Sequence, residues 1–111
     1  SAMDLSYLRT ISDDNPEFIK EMVTAFQEVM PKSIDELKYL WRHKAWDALA
    51  KATHKMRPSL TMMGLPFAKE LSIQIENNAK SQKNRKFIPD QVEDLCLMLE
   101  SALAELNQIK I

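Results

Sequence analysis

The sequence predicts an all-α fold: an up-down bundle of four long helices with a short additional helix at the N-terminus. Three observations lead there. The chain of 111 residues holds one glycine, Gly64, where an average globular chain of that length holds about 8. Tight primed hairpin turns lean on glycine, so a sheet-rich fold is disfavoured. Apolar residues recur at helical spacing almost throughout, with little β-branched alternation. Prolines and the glycine stand where helices start and stop, at Asn15-Pro16, Gly64-Leu65-Pro66 and Ile88-Pro89-Asp90.

Each element follows in order. Met3 to Ile11 is a short opening piece, with Leu5, Leu8 and Ile11 on one side. It is expected to lie across one end of the bundle. The second helix opens at Asn15-Pro16-Glu17, where asparagine caps, proline fits the first helical position and glutamate suits the positive dipole end. It runs to about Arg42 on a stripe of Ile19, Met22, Phe26, Leu37 and Leu40, widened by Phe18, Val23, Met30, Ile34 and Trp41. Pro31 lies inside it and is expected to kink rather than end it, since the stripe resumes beyond. The third helix is expected from Ala45 to Met63, ending at Gly64-Leu65-Pro66. The fourth runs from Pro66 to about Lys80 with Ala68, Leu71, Ile75 and Ala79 on one face, and Ser81 to Phe87 reads as a basic loop. The last opens at Ile88-Pro89-Asp90 and carries Val92, Leu95, Cys96, Leu99, Leu103, Leu106 and Ile109. Long helices with short connections make an up-down bundle.

Composition bounds the function. Residues 3–111 are read as one domain, because roughly 100–150 residues support one core. Ser1-Ala2 before Met3 reads as a tag-cleavage scar. Dinucleotide fingerprints, phosphate-cradling loops and nucleophile elbows each need at least two nearby glycines, and one is present. No stretch approaches the roughly 18 apolar residues of a membrane span, and no signal peptide is visible, so no membrane insertion is expected. Lys plus Arg is 15 and Asp plus Glu is 16, a net charge of −1 that gives no bulk pull towards nucleic acid or anionic lipid. The single cysteine, Cys96, permits no internal disulfide, suits a reducing cytosol and falls on an apolar stripe, where it is read as core. The location expected is therefore cytoplasmic.

The chemistry points to the third helix. On a wheel of roughly 100° per residue, Ala45, Leu49, Ala52, Met56, Leu60 and Met63 fall opposite His54 and form the buried stripe. Around His54 lie Asp47, Ala50, Lys51, Arg57, Pro58 and Thr61, so the histidine is centred on the exposed face. A metal site would place ligands one turn away, but the neighbours are Ala50, Lys51, Arg57 and Pro58, and no Glu-x-x-His pair exists. No metal is expected. A general base would want an orienting carboxylate, and on this face only Asp47 is available, two turns off. A carrier of an anionic group fits better. Lys51, Lys55 and Arg57 make the patch positive, disfavour the imidazolium and would pair with an arriving phosphoryl group.

The segment from Ala52 to Gly64 resembles the signature of histidine-containing phosphotransfer domains. That family has a histidine, a basic residue three on, a small residue (usually glycine) four on, and a glycine ten on. Here these are His54, Arg57, Pro58 and Gly64. Asp4 to Leu8, Pro16 to Phe26 and Leu71 to Glu76 look similar to the family as well. The resemblance implies that His54 attacks the aspartyl phosphate of a receiver domain through its far imidazole nitrogen and hands the group to another receiver. The partners implied are response-regulator receiver domains and a hybrid sensor histidine kinase. The protein would be a monomeric phosphocarrier more than an enzyme. No cofactor would be bound by this chain, the Mg²⁺ belonging to the receiver. Arg57 would stabilise phosphoryl charge, with Lys51, Lys55, Pro58 and Thr61 forming the phosphoryl and docking environment. Arg57 stands where lysine is more usual and offers a planar fork. Pro58 stands where glycine is usual; lacking an N–H, it frees the His54 carbonyl and is expected to distort the helix locally.

Other conspicuous features read as structural. Met22, Met56 and Met63 fall on buried stripes, while Met62 and Thr61 lie nearer the exposed side and are candidates for docking. Lys80, Lys83, Arg85 and Lys86 lack an aromatic stacking platform and read as a solvated loop, so no nucleic acid is expected. Trp41 and Trp46 flank a turn and read as packing, and His43 suits a helix C-terminus. The alternative to phosphotransfer is a helical interaction module that binds a partner without being phosphorylated.

Overall fold

A computed structural model describes residues 3–109. The helices are α1 (Ser6–Ile11), α2 (Pro16–Arg42), α3 (Trp46–Lys55), α4 (Arg57–Met62), α5 (Pro66–Lys80) and α6 (Ile88–Leu106), with one 3-10 turn at Arg85–Phe87 and no strand among the described residues. The expected tag scar, Ser1-Ala2, lies outside the described residues. None of the described helices is long and apolar enough to cross a membrane.

The long helices form a ring. α2 packs against α3 and α6, and α5 packs against the same two from the other side. One core cluster fills the centre, with Leu37, Leu49, Leu60, Ile75, Leu95 and Leu99 fully buried. The all-α bundle read from the sequence is the fold observed.

Local chemistry explains the ends. The Asn15 carboxamide oxygen accepts from the Glu17 and Phe18 N–H groups at 3.0 and 3.2 Å, satisfying two donors that the helix cannot. α2 continues through Pro31, whose ring is on the exposed face, where water can meet the carbonyl it leaves unpaired. Lys44, at φ 54, reverses the chain after α2. There His43 donates from Nδ1 to the Tyr39 carbonyl at 2.9 Å and stacks on the Tyr39 ring, the C-terminal role its position suggested. The basic loop is partly structural. The Arg85 guanidinium donates to the Ala79 carbonyl at 3.3 and 3.1 Å and lies 5.1 Å from the Trp46 ring centroid, closing the C-terminus of α5. α6 ends at Leu106, so Ile109, expected on its stripe, lies beyond the helix and is exposed.

The third expected helix is two. α3 ends at Lys55, Met56 turns at φ −80 and ψ −11, and α4 begins at Arg57. Pro58 is the cause: it has no N–H for the His54 carbonyl, and its ring crowds that oxygen. The carbonyl accepts instead from a backbone N–H of the cap turn. Because Met56, Leu60 and Met63 remain buried, the break alters the hydrogen bonding without rotating the stripe out of the core.

α1 is fixed at the α4–α5 turn. Leu8 is fully buried, and the Asp4 N–H donates to the Gly64 carbonyl at 2.9 Å. Gly64 has φ +62, and a Cβ there would fall on the Asp4 carbonyl oxygen. The glycine therefore does more than stop a helix: it leaves room for the N-terminal segment.

Candidate functional site

α3 presents a sharp change of environment over two residues. Thr53 is fully buried, its hydroxyl donating to the Leu49 and Ala50 carbonyls at 3.0 and 3.1 Å. The next side chain, His54, is 65% exposed. The wheel thus placed the histidine correctly. It misplaced Ala50, which is buried against α5 rather than exposed. Its small side chain suits a close approach of α5, and α5 supplies the residue the sequence reading missed.

That residue is Glu76. Its side chain is 8% exposed, yet it is ionisable and sits in the wall beneath His54. Oε1 meets His54 Nδ1 at 3.1 Å and accepts from the Arg57 guanidinium; Oε2 accepts from Lys80 Nζ at 2.8 Å. Four groups from three helices are thereby joined: His54 on α3, Arg57 on α4, and Glu76 and Lys80 on α5. Burial pushes the Glu76 carboxyl up, but the hydrogen bonds from Lys80 and His54 and the charges of Arg57 and Lys80 outweigh it, holding the group below the ordinary 4.5. An ionised carboxylate only accepts hydrogen bonds. The His54 proton of a neutral ring is therefore on Nδ1, and Nε2 keeps its lone pair.

This corrects the electrostatics drawn from α3 alone. The partner of His54 is an anion, and a hydrogen bond rather than cationic repulsion fixes the free nitrogen. The orienting carboxylate is not Asp47, which only borders a depression of about 470 Å³ with Ala50, Lys51, His54, Glu76 and Lys80. A second depression, about 500 Å³, lies beside it; among its walls are His54, Lys55, Arg57, Pro58, Thr61 and Lys69. Every candidate around His54 is thus brought to one of two hollows flanking the imidazole, whereas Met62, the other docking candidate, lines a groove between α2 and α4. Arg57 is the exception in character: its side chain is 24% exposed and engaged with Glu76. Gly64 lies away from the ring, at the α1 contact.

A faint signal for Glu76 exists in the sequence. It lies next to Ile75 on the inner stripe of α5 and four residues before Lys80. A glutamate on a buried stripe calls for partners, and the opposite helix has to be known before they can be named. Cys96, by contrast, is what its stripe implied. It is buried, and burial pushes its thiol up to about 11, leaving it protonated and inert.

Residues 21–109 match the family model described as Hpt domain. No curated protein and no solved structure gives a significant match.

Proposed function

The chain belongs to the Hpt domain family, and on that premise we propose that it relays phosphoryl groups through His54. Hpt domains act in phosphotransfer within phosphorelays and interact with receiver domains of two-component systems. The observation that carries the assignment to His54 is its Nδ1 contact with buried, ionised Glu76, which leaves Nε2 as an unshared lone pair on an exposed helix face.

In the proposed step, Nε2 attacks the phosphorus of a receiver's aspartyl phosphate. The P–N bond forms, the P–O bond breaks and the aspartate carboxylate departs with the electron pair. The reverse step, with a second receiver, regenerates His54. Such transfer depends largely on positioning and charge stabilisation. Here the positioning comes from Glu76, itself held by Arg57 and Lys80. Lys51 and Lys55 flank the ring on α3 and would meet the anionic group, while Pro58 and Thr61 shape the hollow on the α4 side. Mg²⁺ would belong to the receiver. The carrier would work in the cytoplasm as a monomer, with receiver domains, that of a hybrid sensor kinase among them, as donors and acceptors.

The test is His54→Gln. A phosphorylated receiver should place acid-labile, base-stable phosphate on the wild type and none on the variant; undiminished labelling of the variant would overturn the assignment. The second reading, an interaction module without phosphorylation, draws on the apolar groove between α2 and α4 lined by Met22, Val29, Pro58 and Met62. It predicts partner binding without label on either protein.

A further inference from the structure

We propose that the end of the bundle made by the α2–α3 turn and the α5–α6 loop is a docking surface for an anionic lipid bilayer, on which the protein stands with its long axis upright. The proposal does not depend on the chemistry of His54. A net charge of −1 gives no pull towards such a surface only where the charge is evenly spread, and here it is not. Arg85 lies 5.1 Å from the Trp46 ring centroid, which seats the basic loop beside the turn that follows α2. Arg42, Lys44, Lys83 and Lys86 thereby share one end. All four are exposed, and none is in an ion pair among the described residues. The acids of that end are Asp47 and Asp90, in the first turns of α3 and α6, with Glu93 and Asp94 a turn further back. At the opposite end, residues 4–21 hold five acids and two bases. The molecule is 45 Å long, so it is a charge dipole along its length.

The rings at this end select a bilayer over other polyanions. Phe87 is half exposed, with Lys86 Nζ 5.3 Å from its ring centroid, and Tyr39 is exposed on the last turns of α2. Rings flanked by cations settle at the headgroup level of a membrane, the ring turned towards the acyl chains and the ammonium towards the phosphates. Single-stranded nucleic acid needs free ring faces for its bases and a groove for its backbone. Here Arg85 already lies on the Trp46 ring, and His43 lies on the Tyr39 ring with centroids 4.0 Å apart. On a bilayer, the acidic end points away from the anionic headgroups, which fixes the orientation. His54 then sits on the flank of the bundle, eight residues along α3 from Trp46. That is about 12 Å above the lipid-facing end.

The test sediments the full chain with vesicles of phosphatidylcholine alone, or of phosphatidylcholine and phosphatidylglycerol in equal parts, at low salt. Trp41 and Trp46 both lie at this end, so their emission reports contact in the same mixtures. Binding to the anionic vesicles alone is expected, and it should weaken as salt rises. Lys83→Gln and Lys86→Gln should each reduce it about fivefold, the loss expected for one cation at an anionic surface. Lys20→Gln, at the acidic end, should leave it unchanged. No binding to anionic vesicles at low salt, equal binding to neutral ones, or the same affinity in all three variants and the wild type would overturn the proposal. Tighter binding of a single-stranded oligothymidine than of the anionic vesicles would also overturn it, in favour of nucleic acid.

Discussion

His54 is exposed and Glu76 is buried, and the site depends on that difference. The histidine was legible from α3 alone, because a wheel needs only one helix. Glu76 was not, because its role exists only once α5 is laid beside α3. Two predictions belong at this scale. Arg57→Ala removes one of three donors to Glu76. Transfer should slow by roughly tenfold while the fold persists, with a stability loss of about 1 kcal/mol for a partly exposed pair. Rapid-quench transfer kinetics and urea unfolding check both; an unchanged rate would make Arg57 a bystander. The second concerns pH. Glu76 binds its proton more weakly folded than unfolded, so its contribution is fully present above about pH 4.5 and is lost as pH falls through the lowered folded value. In urea titrations, the stability gap between wild type and E76Q should close across that acidic window and stay constant above it.

At the scale of elements, two prolines inside expected helices behave differently. Pro31 is passed over, whereas Pro58 divides α3 from α4. The local distortion at Pro58 was legible from its missing N–H, but the division into two helices was not. It turns on whether the chain can re-satisfy the freed carbonyl, and at His54 the cap turn does so. Pro58 thereby falls in the first turn of a new helix, where its missing donor has no partner to lose. Pro58→Ala should therefore change stability by less than about 1 kcal/mol, against the roughly 3 kcal/mol expected for a proline in an unbroken helix. A gain of that larger size in urea unfolding would show that α3 and α4 are one strained helix. Gly64 teaches a related lesson. Its stop role was readable from Gly-Leu-Pro, but its contact with Asp4 spans the whole stretch from α1 to α5. Gly64→Ala should lose about 1–2 kcal/mol from its left-handed backbone and more from displacing Asp4. In a chain starting at Ser6, only the first part should remain, which a double-mutant comparison by urea unfolding would read.

For the molecule as a whole, the order and type of the helices were legible because each face repeats at helical spacing and each end carries its own chemistry. Arg85 marks the limit. Its charge suggested a solvated loop, yet it caps α5 and stacks on Trp46, a pairing between residues 39 positions apart in the chain. The bundle as a whole acts as a rigid mount. It buries Thr53 and Glu76, and this holds one imidazole outward with one nitrogen occupied and the other open. The most direct test of that account is the labelling of wild type and H54Q by a phosphorylated receiver, with the position of phosphorus on the ring read by nuclear magnetic resonance. The account predicts acid-labile, base-stable phosphate on Nε2 of His54 and none on H54Q. Equal labelling of both proteins would contradict it.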